Sequence, residues 1–212
     1  MDYFTSDLHF DHINSFKHRK NFSSIEEMNN TLFHMFDVTK KGDRVFILGD
    51  LSFTLEGANL IIDSLCKKKV NVFLIMGNHD INWWNKIEES TYLHKCQTMV
   101  VKGTSEFNKI FLSHYPQLIF ESSHHGAFQL HGHGHIDTID RPILDNLEFG
   151  KRLNVNCEFF NYSLVTRKEV EEIMKEKPDN IDYVLLHGED KKRRKLIKGL
   201  KKINKIMNKI NR

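Results

Sequence analysis

Cysteine is scarce in this chain: three among 212 residues, Cys66, Cys96 and Cys157, an odd number, widely separated and with no CxxC pair. That pattern excludes a disulfide framework and a thiolate zinc site, and it leaves reduced thiols of core type. Long apolar runs are missing too, so no segment reads as a membrane span. The opening MDYFTSDLHF lacks both the basic and the apolar stretch of a secretory leader, and the expected compartment is the cytoplasm. There is no internal repeat and no low-complexity linker before KEKPDN at 175–180. Acid is missing from the last stretch. Residues 191–212 hold eleven Lys or Arg and no Asp or Glu, which leaves 20 of the 31 basic residues to face all 28 acidic ones elsewhere. The formal net charge of +3 therefore hides an acidic body and a basic tail.

The body has what a core needs: 40% hydrophobic residues and 11% aromatic, with 16 phenylalanines. Its length suits one domain, taken as 1–178, with an appendage at 179–212. Short apolar runs bounded by turn residues alternate with longer periodic segments, the signature of an α/β body. Strands are expected at Tyr3–Thr5, Val45–Leu48, Val70–Met76, Lys109–Leu112 and Ala127–Leu130, with weaker ones near Met99 and Val155. One helix is expected from Ser24, where Glu27 has capping-box spacing and Ile25, Met28, Leu32 and Phe36 recur at helical intervals. A second is expected over about 57–67, and a third from Thr166, with Glu169 in the box position and Pro178 as the stop.

Each of the five principal strands runs into residues that bind metals: SDLHFDH after the first, GDLSF after the second, then GNHD, SHYP and HGHGH. Open α/β sheets bind ligands in the crevice beyond their strand carboxyl ends, so clusters far apart in sequence can converge there. Asp7, His9, Asp50, Asn78, His114, His133 and His135 supply carboxylate, imidazole and amide oxygen. That donor set suits manganese, iron, zinc or similar ions and, with carboxylate among the imidazoles, a two-metal site. Residues two apart in an extended stretch point the same way, so Asp7 with His9, and His133 with His135, can each face one cavity. Gly49, Gly77, Gly132 and Gly134 permit the tight turns or close backbone approach that such presentation needs.

The order DxH, GD, GNHD, H, GHxH resembles the calcineurin-like metallophosphoesterase superfamily over about residues 1–177. FTSDLHFDHINSFKHRKNFSSIEEMN, GDLSF and RLNVNCEFFNYSLVTRKEVEEI further resemble its branch of small bacterial and bacteriophage phosphoesterases. The resemblance implies an α/β fold, a β-sandwich of two mixed sheets flanked by helices. It implies Asp7, His9 and His135 on one cation, Asn78, His114 and His133 on the other, and Asp50 bridging the two. His79 is implied to act on the leaving-group oxygen as general acid or transition-state stabiliser, with Asp80 orienting it. The implied cofactors are two divalent ions, manganese foremost, with iron, zinc, nickel, cobalt or magnesium as alternatives. The implied reaction is hydrolysis of a phosphomonoester or phosphodiester, nucleotide or nucleic-acid derived, by in-line attack of a hydroxide shared between the ions. A nuclease of the same superfamily, and a catalytically silent binding protein on the same fold, are the alternatives. Phe53 stands where the serine/threonine phosphatases of the superfamily have the last Asp of GDxxD, which points away from that branch.

Three further residues have candidate roles: His12 in support of the metal site, Arg19 on substrate phosphate, and His131. His131 lies one step too early for GHxH, so its ring is expected behind the ligands, bonded to one of them or to a phosphate. Trp83 and Trp84 are expected to pack beneath GNHD, with stacking on a base or sugar as the alternative. In the tail, Leu196, Leu200, Ile203, Met207 and Ile210 recur at spacings of 4, 3, 4 and 3, which predicts a basic amphipathic helix. Such a helix can pack on the body, pair with a second copy as a homodimer, or bind nucleic acid through its lysines. Without Trp or Phe in the stripe, a membrane surface is the poorest fit.

Overall fold

Tyr3, Val45, Ile47, Val72 and Leu74 point to one face of a parallel sheet, and Phe4, Phe46, Leu48 and Ile75 to the other; both faces are buried. Double burial is why these strands read as continuous apolar runs rather than alternating ones. The computed structural model describes residues 1–103, 109–135 and 150–188, with 191, 194, 195, 197 and 198. Strands β1 (Asp2–Thr5), β2 (Arg44–Leu48), β3 (Asn71–Ile75) and β4 (Leu93–Cys96) pair in parallel. The two-residue β9 (Val165–Thr166) lies antiparallel to β1, giving the order β4-β3-β2-β1-β9. In register across this sheet, Phe4, Phe46, Phe73 and His94 stack ring on ring at 4.8–5.1 Å.

The second sheet has the order β5-β6-β7-β8: β5 (Thr98–Lys102), β6 (Lys109–Ser113), β7 (Phe128–His131) and β8 (Arg152–Asn154). The β5–β6 pair is antiparallel and the others parallel. Ile110, Leu112, Phe128, Leu130 and Leu153 meet the Phe4 face of the first sheet, so one core lies between the sheets. Its other face is covered by α2 (Ile25–His34) and α3 (Leu55–Lys67) through Met28, Leu32, Ile61 and Leu65. The expected architecture of two mixed sheets flanked by helices is the one found. Cys66, Cys96 and Cys157 are free thiols, Cys157 buried and the others half-buried.

Several boundaries differ from expectation for local reasons. The α3 helix starts two residues early because Thr54 caps it, its Oγ1 accepting from the Gly57 amide at 3.0 Å. Ser24 caps α2 as expected, but the Glu27 carboxylate accepts from the Ser23 amide and hydroxyl rather than closing a box on Ser24. At Thr166 the full capping box forms and starts α4 (Arg167–Glu176). Periodicity gave no sign of the short helices α1 (Ile13–His18) and α5 (Ile181–His187), or of β4 and β9. Just before α5, in the segment assigned to the appendage, the buried Asn180 side chain donates to the Ser123 and Ala127 carbonyls. The stripe Leu196, Leu200, Ile203, Met207 and Ile210 lies outside the described residues. Among the described residues no helix is long and apolar enough to cross a membrane.

Candidate metal centre

The turns after β1, β2 and β7 force side chains inward by adopting backbone that L-residues usually avoid. Asp7, His9, Asp50 and His133 all have positive φ, at 55°, 51°, 54° and 70°. Each such residue costs about 1–3 kcal/mol and persists where surrounding bonds over-determine it. Those bonds are present. The Asp7 amide donates to the Gly49 carbonyl at 3.0 Å, and the His9 amide to the Asp50 carbonyl at 2.9 Å. The His133 amide donates to the Asp7 carboxylate at 3.0 Å. Gly49 is required twice over: its φ is +88°, and a Cβ there would lie 2.5 Å from His114 Nδ1.

Ligand atoms of Asp7, His9 and His135 lie within 4.8 Å of one another, as do those of Asp7, Asp50 and His114. His9 Nε2 is 3.2 Å from His135 Nε2 and 3.6 Å from Asp50 Oδ2. His114 Nε2 is 3.5 Å from that same Asp50 oxygen and 3.1 Å from Asn78 Oδ1. The His133 ring stands edge-on to His114, centroids 5.2 Å apart. All seven residues picked out as ligands therefore gather in one crevice beyond the strand carboxyl ends.

Outer hydrogen bonds decide which ring nitrogens face the crevice. His114 Nδ1 donates to the Leu48 carbonyl at 2.8 Å, which turns the Nε2 lone pair toward Asn78 and Asp50. His135 Nδ1 meets Glu158 Oε1 at 3.0 Å, leaving Nε2 toward Asp7 and His9. Lone pairs from imidazole, carboxylate and amide thus converge, with Asp7, His9 and Asp50 almost fully buried. Burial pushes the Asp7 carboxyl up to about 6, although His114, His135 and the Ser6 hydroxyl pull it down. Burial, followed by the neighbouring His135 and Arg19, holds His9 well below the usual imidazole range, so it presents the neutral ligand form. Buried acceptors with these preferences fit divalent cations, which would offset the charge that burial disfavours.

Arg19 and Asp80 play parts other than those expected of them. Arg19 is buried, with Nε on Glu158 at 2.9 Å and its two terminal nitrogens on the Leu8 and Asp7 carbonyls at 2.6 Å each. Its guanidinium braces the DLH turn rather than reaching for phosphate. Asp80 does not orient His79. Its carboxylate accepts from the amides of Asp50, Leu51 and Gly77 at 2.8–3.0 Å, locking the GD and GN turns together, and burial raises it to about 7. His131 is wholly buried at the end of β7, and its Nδ1 donates to the Gly132 carbonyl at 2.9 Å. Trp83 is buried under the motif with Nε1 on the Ser52 carbonyl, while Trp84 is half-buried against the same core.

His79 and His12 stand at the mouth. The His79 amide donates to Asp50 Oδ1 at 2.9 Å, and its ring lies 5.0 Å from His9 and 5.2 Å from His12. His12 stacks flat on Phe53 at 4.4 Å, with Ser15 on its Nδ1 at 2.8 Å. Sequence reasoning missed Glu158 and Asn156. Glu158 joins His135 to Arg19 and is driven down to about 2 by those partners, although burial opposes it. Asn156 Nδ2 donates to the Gly134 carbonyl at 2.7 Å and so steadies the GHGH turn. The signal was available: Asn154, Asn156 and Glu158 alternate with apolar residues at a strand end, like the other clusters.

The calcineurin-like phosphoesterase family matches residues 3–206, and the chain belongs to that family. Its fold is similar to that of AQ665, a protein of unknown function from Aquifex aeolicus, whose crystal structure aligns with a TM-score of 0.61 at 23% identity. That alignment covers 82% of this chain and 98% of the other. Comparison with curated proteins finds no match.

Proposed function

We propose that this protein is a dinuclear metal-dependent phosphoesterase that hydrolyses a phosphomonoester or phosphodiester derived from nucleotides or nucleic acid. The observation that carries the reading is Asp50 Oδ2, 3.6 Å from His9 Nε2 and 3.5 Å from His114 Nε2: one carboxylate oxygen between two ligand groups. Asp7, His9 and His135 would hold one divalent cation, and Asn78, His114 and His133 the other, with Asp50 shared. Manganese suits this oxygen and nitrogen set, and availability selects among the alternatives. Bound there, the two cations would lower the pKa of a water and neutralise charge building on phosphoryl oxygens.

His79, whose amide donates to Asp50 Oδ1, would give a proton to the departing oxygen. His12, braced between Ser15 and Phe53, forms the adjoining wall. Three free thiols suit the reducing cytoplasm as the place of action. The test is hydrolysis of bis(p-nitrophenyl) phosphate: chelation should remove it, Mn²⁺ should restore it, and Asp50→Asn should abolish it while leaving a folded protein. Full turnover by chelated protein or by the Asp50→Asn variant would refute the reading.

The eleven cations at 191–212 are proposed to attract an anionic partner, nucleic acid foremost, with pairing to a second copy as the competing use. Oligonucleotide affinity should then fall steeply with salt and vanish when the chain is cut after Asp190. Equal binding by the cut chain would remove this role.

A further inference from the structure

Among the described residues, two cavities that share no lining residue open on the centre. The larger, about 410 Å³, opens at Asn78 and His114, the second ligand group. The smaller, about 240 Å³, opens at His135, in the first. A phosphomonoester has one organic arm and needs one cavity. A phosphodiester held at the same centre has two arms, and here each has a separate place to go.

The linings differ in chemistry. Beside the centre the larger cavity is walled by Tyr115, half exposed, with its ring 4.9 Å from His114 and 4.6 Å from His133. Ile81, 64% exposed, adds an apolar surface, and Gln97, Thr98 and Gln117 add neutral donors and acceptors. An aromatic face with amides at its edge is what a nucleobase uses, and the volume is in the usual range for small-molecule sites. The smaller cavity is lined by His12, Asn14, Ser15, Asn21 and Tyr162, which suit a sugar or phosphate. Its one carboxylate among the described residues, Glu158, is taken up by Arg19 and His135 and so does not repel an anion.

We infer that the substrate is a phosphodiester with a nucleoside arm in the Tyr115 cavity and a second arm, bound through its sugar, in the cavity at His135. This rests on the phosphoesterase reading and narrows it from either ester type to the diester.

The test uses the full-length Mn²⁺-loaded protein with three probes: thymidylyl-thymidine, thymidine 5′-phosphate and bis(p-nitrophenyl) phosphate. The dinucleoside diester should exceed the monoester in kcat/KM by about 10-fold or more, the scale on which a filled pocket discriminates. Ile81→Ala or Gln117→Ala in one cavity, and Asn14→Ala in the other, should each lower that ratio, chiefly through KM for the diester. A monoester turned over as well as the diester would overturn the inference, and so would a ratio that responds to variants in one cavity alone. Hydrolysis of the nitrophenyl ester with neither thymidine ester cleaved would remove the cavity assignment and leave the phosphoesterase reading standing. Failure on all three esters with metal bound would overturn both.

Discussion

At the amino end of the parallel sheet, Asp2 meets Arg44 through two 2.7 Å bonds and Arg167 at 2.8 Å, so its carboxylate is neutralised by guanidinium groups of the chain itself. At the carboxyl end of the same strands, Asp50 faces the imidazoles of His9 and His114, and Asp7 faces His135 and the His133 amide. Both ends are rich in acid, yet the amino end closes its charge internally while the carboxyl end gathers lone pairs. Left-handed backbone occurs at both ends, at Asp7, His9 and Asp50 after the strands and at Gly42 and Lys69 before them, but only at the carboxyl end does it fall on ligand-type side chains. Strain and buried acceptors together mark the end that an outside cation would complete.

After Asp50, the largest break in this contrast should come at His79. Replacing it with Asn should lower turnover by about 10²–10⁴, the usual range for general acid catalysis, with metal content unchanged. The loss should shrink for esters with good leaving groups such as p-nitrophenol; an equal loss for all esters, or loss of metal, would show a different role. Next comes Glu158→Gln, which keeps the shape but weakens the hold on His135 and Arg19. Metal affinity measured by titration should fall by about 10–100-fold, as for other partners of ligating histidines. The smallest effect should come from Arg44→Ala at the amino end. With the Arg44 side chain 41% exposed, the cost is about 1 kcal/mol or less in thermal unfolding, with metal binding intact.

Strands β1, β2 and β3, the capped helices and the seven gathered ligand candidates were legible in the sequence because doubly buried strands and strand-end polar clusters leave local marks. Four functions were not legible, since each depends on where a side chain reaches across the fold. Arg19 and Glu158, 139 residues apart, meet behind the DLH turn. Asp80 looks like a partner for its neighbour His79 but bonds back across to Asp50 and Leu51. His131 shares the spacing of His133 and His135, yet it is the last residue of β7 and is wholly buried. Short helices such as α1 and the two-residue β9 are held by tertiary contacts too sparse to leave a period.

The central claim is that Asp50 stands between two cation sites. Titration of the full-length protein with Mn²⁺, followed by metal analysis of the fully active form, should give two ions per chain, and Asp50→Asn should lose activity together with at least one of them. One ion or none in fully active protein would contradict it.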